Sequence, residues 1–177
     1  SDVYTEGITR ITAEDIKYAE EFGYVIKLLG VAKNTEDGIE VKVHPMLINE
    51  DHPLATVRNS FNAVFVHGEA MDDAMFMGRG AGEMPTASAV MGDVVDVMRD
   101  LVHNCCGRIG CSCYRNLQVK KIDETKSKFF LRIQAVDRPG VLANIASVLG
   151  NNDVSIAQVV QKSRKSGNAE LVIITDE

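Results

Sequence analysis

Three glycines at alternate positions, Gly78, Gly80 and Gly82, stand between a strand-like run and a helix-like run. Glycine has no Cβ, so a flat or charged ligand can approach the main chain of such a turn closely. Pro85 has the φ favoured at a first helical position, and the positive end of that helix would favour an anionic ligand. We therefore expect a ligand-facing turn over residues 76–90, with a plain strand-to-helix bend as the alternative.

The spacing of these glycines differs from the dinucleotide-binding pattern G-x-G-x-x-G. After Gly78 and Gly80, the third glycine of that pattern would fall where this chain has Glu83. The turn also does not follow an opening strand of the chain, as that pattern requires. The turn is therefore a different kind of glycine loop.

The four cysteines lie close together, just after His103: Cys105, Cys106, Cys111 and Cys113. Thiolate and imidazole groups are zinc ligands, but zinc modules present C-x(2-4)-C pairs separated by a longer arm. Here one pair is adjacent and the other is separated by one residue. We expect reduced thiols in a linker and no metal, with a zinc clip as the alternative.

Three histidines near strand ends are candidates for acid/base or ligand roles: His44, His52 and His67. A histidine in such a position is more often a structural hydrogen-bonding group. We expect the structural role for most of them.

Composition limits the class of protein. The chain has 177 residues, 45% hydrophobic and 25% charged, which is typical of one globular domain or two small ones. Its net charge of -6 argues against nucleic acid or an anionic membrane as the main partner. No apolar run reaches the roughly 18 residues of a spanning helix, and the N-terminus lacks a signal-peptide pattern. We expect a cytoplasmic protein.

The first part of the chain predicts a helix and a mainly antiparallel sheet. Thr12 and Asp15 form a capping-box pattern. Apolar residues then share one helical face: Ile16, Ala19 and Phe22. The apolar run over residues 24–33 indicates a buried strand, and residues 39–43 indicate its hairpin partner, ended by Pro45. Two later runs, residues 61–68 and 74–77, bring the sheet to four strands with the helix across one face.

The glycine turn leads into a long helix with a broad apolar face, which needs a large partner surface. The residues of this face are Ala87, Val90, Met91, Val94, Val95, Val97, Met98 and Leu101. Residues 104–126 are predicted to be a linker. From Lys128 the order is strand, helix, strand, strand, an α+β unit whose single helix leaves part of one sheet face uncovered.

Two resemblances add to these patterns. Residues 7–97 include GYVIKLLGVAK, VKVHPMLI, DHPLATV, FNAVFVHGE and GRGAGEMPTASAV, and they resemble the C-terminal part of homoserine dehydrogenase. Residues from Lys128 onward, with IQAVDRPGVLANIASVLG and VSIAQVVQK, are similar to an ACT domain, a small ligand-sensing module. The expected domains are residues 1–103 for the catalytic part, 104–126 for the linker and 127–177 for an incomplete ACT domain.

The first resemblance implies an oxidoreductase that interconverts aspartate semialdehyde and homoserine with NAD(P)H, on the route to threonine and methionine. It implies that Gly82 and Gly80 contact the nicotinamide end of the cofactor, and that the helix after them docks on a Rossmann domain. The chain has no Rossmann segment and no segment matching the family's catalytic lysine; Lys27 and Lys33 lie downstream of that place. We therefore expect no catalytic residue here, no cofactor bound to this chain alone, and a fragment that begins inside the substrate domain.

The ACT resemblance implies an amino-acid effector, with threonine as the first candidate. Gly140 exposes main-chain amides at a helix N-terminus, which suit a carboxylate. Asp137 is a candidate for the effector's amino group, and Ser155 for a contact across a dimer seam. Alternatively, residues 137–140 only cap the helix and support dimerisation.

Two functions from different classes follow. The chain is either part of a dehydrogenase with its regulatory tail, or a non-enzymatic amino-acid sensor that uses the first sheet as a dimerisation platform. Both predict a homodimer or higher homo-oligomer, because exposed sheet edges and faces are seldom left bare in monomers.

Overall fold

The computed structural model describes residues 3–105, 117–163 and 167–176, and these residues form an α+β fold. The strands belong to three sheets, and strands pair antiparallel in the second unit's hairpin and throughout the sheet of residues 130–175, so the predicted fold class is confirmed. Residue contacts divide the chain into two compact units, Ser1–Leu47 with Gln118–Glu177, and Ile48–Leu117. Among the described helices, none combines the length and apolar character that a membrane span requires.

The first sheet of the first unit contains β1 (Tyr4–Thr5), β2 (Tyr24–Thr35) and β3 (Gly38–Asn49), in the order β1, β3, β2. β2 and β3 are neighbours, as the predicted hairpin requires, and the turn between them is shorter than expected, residues 36–37. The expectation of a buried β2 is wrong, because its residues are half-buried or exposed in this chain. A continuous apolar run in β2 does not ensure that other elements cover both faces of the strand.

β3 does not end at Pro45 but continues to Asn49, which corrects the sequence prediction. The Val43 carbonyl accepts a hydrogen bond from the Glu6 amide at 2.8 Å, so the hydrogen-bonding groups of Val43 face β1. Pro45 lies two residues further and faces the same side. Because β1 has ended at Thr5, the missing N–H of Pro45 breaks no bond to it.

Helix α1 (Ala13–Glu21) begins with the predicted capping box. The Asp15 amide donates to Thr12 Oγ1 at 3.3 Å, and the Thr12 amide donates to Asp15 Oδ2 at 2.7 Å. The predicted inner face is only partly right. Asp15, Tyr18 and Ala19 are buried, whereas Ile16 is 45% exposed. Local periodicity located the helix but missed the polar residues that turn inward.

The second sheet of the first unit has the predicted strand, helix, strand, strand order. Its elements are β6 (Phe130–Val136), α3 (Val141–Gly150), β7 (Ile156–Ser163) and β8 (Asn168–Thr175), with sheet order β6, β8, β7 and antiparallel pairing throughout. Residues 169–175 of the central strand β8 are all buried. Both faces of β8 are therefore covered along these residues, and α1 provides the second cover, which the sequence did not predict.

The second unit contains a short 3-10 helix (Pro53–Thr56), strands β4 (Phe61–Gly68) and β5 (Asp72–Arg79), and helix α2 (Glu83–His103). β4 and β5 form a separate antiparallel hairpin, so the prediction of one four-stranded sheet is wrong. α2 begins at Glu83, which makes Pro85 its third residue rather than its first. The first four helical amides have no intrahelical partner, so proline is still tolerated there.

The predicted linker is partly structured. The Lys120 amide donates to the Ile39 carbonyl at 2.9 Å, and the Ile39 amide donates to the Gln118 carbonyl at 2.9 Å. These bonds add a short parallel bridge beside β3. A 3-10 helix follows at Ile122–Glu124. The linker residues 106–116 lie outside the described part of the chain, and the domain boundaries at 103 and 127 stay a prediction.

Candidate functional site

A shallow cavity of about 250 Å³ lies beside the glycine turn. It is lined by Asn62, Ala63, Val64, Phe76, Gly78, Arg79 and Gly80. The β4–β5 hairpin positions these residues, with Asn62 opposite Gly78 in the register. Of the two predicted cofactor-contacting glycines, Gly80 lines this cavity and Gly82 does not.

Gly82 is the N-cap of α2, and its φ of +124° is one that other residues rarely adopt. No side chain caps this helix end. The exposed amides of the first turn therefore remain available to an acceptor, although Glu83 brings a negative charge to the same turn.

Arg79 is the cation of this cavity, and the sequence analysis did not single it out. Its guanidinium donates to Ser60 Oγ at 3.1 Å and lies 4.9 Å from the Phe61 ring centroid. These contacts hold the arginine at the rim beside Gly80. Its place between two glycines was the signal available in the sequence.

A second cavity, of about 330 Å³, opens between the start of α3 and the second sheet. It is lined by Val136, Asp137, Arg138, Pro139, Gly140, Val141, Leu142, Gln161, Ala169 and Leu171. The structure thus brings together two of the three predicted effector residues, Asp137 and Gly140. Gly140 has a φ of +90° and is the N-cap of α3, again without a side-chain cap. A polar ligand can therefore reach uncapped helix amides between a carboxylate and a guanidinium.

Arg138 and Gln161 are the polar lining residues that the sequence analysis missed. Arg138 is adjacent to Asp137 and was passed over as part of a turn. Gln161 comes from β7, opposite Leu171 of β8. The residue opposite a cavity-lining position follows from strand register, which the sequence alone does not supply.

Ser155, the third predicted effector residue, precedes β7 at the other end of the sheet. The Ser155 carbonyl accepts a hydrogen bond from the Asp176 amide at 2.8 Å. The Asp137 amide donates to the Gly167 carbonyl at 3.0 Å, at the opposite end of β8. Ser155 is not among the lining residues of the cavity in this chain.

Each candidate histidine makes a local contact. His52 Nδ1 accepts from the Leu54 amide at 3.1 Å, and His44 Nδ1 lies 2.9 Å from the Pro45 carbonyl oxygen. His67 Nδ1 lies 2.7 Å from Asp73 Oδ1, and this hydrogen bond, with the nearby carboxylate charges, raises the pKa of His67 above its ordinary value. Each histidine therefore has a local partner, and the structural role expected from the sequence stays a prediction.

Only one of the four cysteines, Cys105, lies in the described part of the chain; Cys106, Cys111 and Cys113 lie outside it. The Cys105 thiol donates to Asp100 Oδ1 at 3.4 Å, and this hydrogen bond raises the pKa of the thiol. A raised pKa disfavours the thiolate that binds metals or attacks substrates. The absence of a metal at the cysteine segment stays a prediction.

A buried lysine, Lys42, was not singled out by the sequence analysis. Its ammonium group donates to Ser127 Oγ at 3.1 Å and lies 3.9 Å from Glu40 Oε2. Lys120 lies 4.0 Å from the other oxygen of Glu40. These contacts join β3 to residues 120–127, so the buried lysine has a structural explanation.

Comparison with known proteins identifies two regions. Residues 1–95 match the family model "Homoserine dehydrogenase", and residues 129–177 match the model "ACT domain". The chain is 42% identical to a homoserine dehydrogenase of Neisseria gonorrhoeae and 43% identical to one of Corynebacterium glutamicum, over 99% and 98% of its own length. It spans 42% and 40% of those two proteins, about two fifths of each.

Solved structures agree with these matches. A crystal structure of a homoserine dehydrogenase from Thiobacillus denitrificans matches 99% of this chain and 41% of its own, with a TM-score of 0.88 and 39% identity. A homoserine dehydrogenase of S. aureus, crystallised at pH 6.0, matches 97% of this chain and 41% of its own, with a TM-score of 0.62 and 29% identity. The first family model covers more than half of the sequence, and the described fold follows that of these enzymes. The chain belongs to the homoserine dehydrogenase family.

Proposed function

We propose that this chain is part of an oxidoreductase that interconverts L-aspartate 4-semialdehyde and L-homoserine with NAD(P)H, in threonine and methionine biosynthesis. The observation that carries the proposal is the likeness to homoserine dehydrogenases along 99% of the chain. The ACT match at residues 129–177 supports amino-acid feedback on the same protein.

The glycine turn supplies part of the cofactor site in this proposal. Gly78 leaves the main chain bare at one wall of the cavity, and the exposed Asn62 side chain beside Gly80 can rotate away, so the rim of a nicotinamide can approach there. A cavity of about 250 Å³ accepts only one end of a dinucleotide, so other parts of the enzyme must hold the rest. A cofactor bound here would supply the hydride, while Gly80 at the cavity and Gly82 at the start of α2 would provide contact and shape.

The exposed surface of helix α2 supports the proposal that another domain holds the rest of the cofactor. No residue of α2 is buried in this chain, and its apolar face is exposed. In the proposed enzyme this face packs on the nucleotide-binding domain. The dehydrogenase proposal therefore predicts that the chain by itself does not perform the reaction.

The activity prediction is tested with the purified 177-residue chain, aspartate semialdehyde and NADPH. We expect no aldehyde-dependent loss of NADPH absorbance, because the chain has no segment matching the family's catalytic lysine. A complete protein that includes this chain, assayed in parallel, should oxidise NADPH. Activity of the chain alone would contradict its predicted inactivity; an inactive complete protein that still binds an amino acid would support the sensor function instead.

The cavity at residues 136–142 is the proposed effector site. Asp137 can pair with an ammonium group, Arg138 with a carboxylate, and the uncapped amides after Gly140 add hydrogen-bond donors. A cavity of about 330 Å³ accommodates a small amino acid such as threonine. Ser155 contributes in this proposal from the second subunit of a homodimer.

Threonine binding is tested by calorimetric titration of the 177-residue chain with L-threonine. We expect binding to wild type and a loss of affinity of at least about tenfold in Asp137→Ala, since the ammonium group then loses a charged partner. Asp123→Ala, an exposed aspartate outside the cavity, is the matched control and should bind normally. Unchanged heat in Asp137→Ala would rule out the role of Asp137.

A further inference from the structure

A buried hydrogen bond joins α1 to the centre of the second sheet. The Tyr18 hydroxyl donates to Glu170 Oε2 at 2.5 Å, across 152 positions of sequence. Tyr18 is 7% exposed and Glu170 is 1% exposed. The bond is therefore shielded from water, and loss of either partner leaves the other with a desolvated polar group.

Charged side chains from the two outer strands continue this contact along α1. Arg132 of β6 lies 3.2 Å from Asp15 and 3.8 Å from Glu170 Oε1. Lys162 of β7 lies 4.7 Å from the centroid of the Tyr18 ring and pairs with Glu21. The helix is thus attached to all three strands, with Tyr18 and Glu170 at the middle.

The opposite face of the same strands forms the proposed effector cavity. Successive residues of a strand point to opposite faces. Ala169 and Leu171 line the cavity, and Glu170 lies between them on the α1 side. On β7 the same alternation places Gln161 at the cavity and Lys162 at α1. The residues that meet the ligand and those that hold α1 are therefore direct neighbours in sequence.

α1 also packs against β2 of the first sheet. We propose that the Tyr18–Glu170 hydrogen bond couples occupancy of the cavity at residues 136–142 to the docking of α1, and so to the first sheet. This inference rests on the proposed effector function of that cavity. Tyr18 and Glu170 are positioning residues in this role, because neither lines the cavity.

The physical basis is a local equilibrium between docked and open α1. A ligand held between the start of α3 and the strands restricts β7 and β8, and thereby holds Glu170 in place for Tyr18. By linkage, whatever favours docked α1 also favours the bound ligand. Ligand binding on one face of β8 and docking of α1 on the other face are therefore coupled, although the cavity and α1 lie on opposite sides of the sheet.

Hydrogen–deuterium exchange of residues 13–21, with and without saturating L-threonine, tests the coupling on the 177-residue chain. In wild type we expect threonine to slow exchange in α1 by about fivefold, the low end of typical coupling. In Tyr18→Phe, which keeps the ring and removes only the hydroxyl, the slowing should fall below about twofold. Calorimetry on the same samples reports whether threonine binds.

Tyr4→Phe is the matched control, because the Tyr4 hydroxyl also donates to a carboxylate, Glu6, but at an exposed site. It should keep the full slowing. Glu170→Gln preserves side-chain size but replaces the carboxylate by a weaker, neutral amide acceptor. It replaces Tyr18→Phe if that variant does not fold, and its slowing should fall below that of wild type.

The outcomes separate the two proposals. If threonine binds wild type but leaves exchange of α1 unchanged, or if Tyr18→Phe keeps the full slowing, the coupling is wrong and the effector site stands. If threonine gives no heat with wild type, the proposed threonine site is wrong, and the coupling is overturned with it.

Discussion

At the scale of single residues, the glycines of the turn have different structural requirements. Gly82 has φ +124° and ψ 144°, a region that residues with a Cβ occupy only with strain. A Cβ at Gly80 would clash with Asn62 Nδ2, but Asn62 is exposed and its side chain can rotate away. A Cβ at Gly78 would meet open space. Loss of activity in Gly82→Ala would therefore not by itself demonstrate a cofactor contact.

Alanine substitutions at the three positions distinguish these requirements. We expect Gly82→Ala to lower the free energy of unfolding by about 1–3 kcal/mol through backbone strain. Gly80→Ala should cost less than about 1 kcal/mol, and Gly78→Ala should stay within about 0.5 kcal/mol of wild type. Urea unfolding of the 177-residue chain measures all three. Adding Asn62→Ala should remove any loss at Gly80, and equal losses at Gly78 and Gly82 would contradict this explanation.

At the scale of elements, a local sequence pattern predicted where α1 begins but not which of its faces is buried. The capping box of Thr12 and Asp15 predicted where the helix begins, because its hydrogen bonds join residues three positions apart. The same sequence wrongly predicted an inward Ile16, because the buried face depends on the sheet that α1 packs against. Glu170 on that sheet gives Tyr18 an inward partner that apolar periodicity does not consider.

Strand β8 shows the reverse case, in which an element is predicted correctly but its environment is not. Its apolar run was predicted as a strand, and a glutamate inside such a run would ordinarily mark a solvated face. Instead Glu170 is buried, with Tyr18 and Arg132 close to its carboxylate. Burial of a charged residue type requires such partners, and here they come from two other elements.

At the scale of the whole molecule, burial is distributed unequally between the two units. The first unit contains strand β8, whose residues 169–175 are buried, whereas the buried residues in the described part of the second unit are Ile48 and Ala55. A two-stranded hairpin and a helix without buried residues gain little from tertiary packing. The second unit should therefore open more readily than the first when this chain is isolated.

Hydrogen exchange of the ligand-free chain measures this difference. After correction for intrinsic rates, we expect amides of the β4–β5 hairpin and α2 to exchange at least about tenfold faster than those of β8, because local opening costs less where fewer side chains are buried. Amides of α3, which is also without buried residues, provide the internal comparison for a helix of the first unit. Equal protection of α2 and β8 would contradict the prediction.

The sequence by itself determined the α+β class, the starts of α1 and α3, the chain order of strand, helix, strand and strand in the second sheet, and the family. These depend on capping, turn residues and alternation over a few positions, or on long runs of residues shared with relatives. The tertiary structure alone decided that four early strands belong to two sheets, that β3 passes through Pro45, and that α1 covers Glu170. Those outcomes depend on which surfaces distant segments present to one another, and no local pattern specifies that.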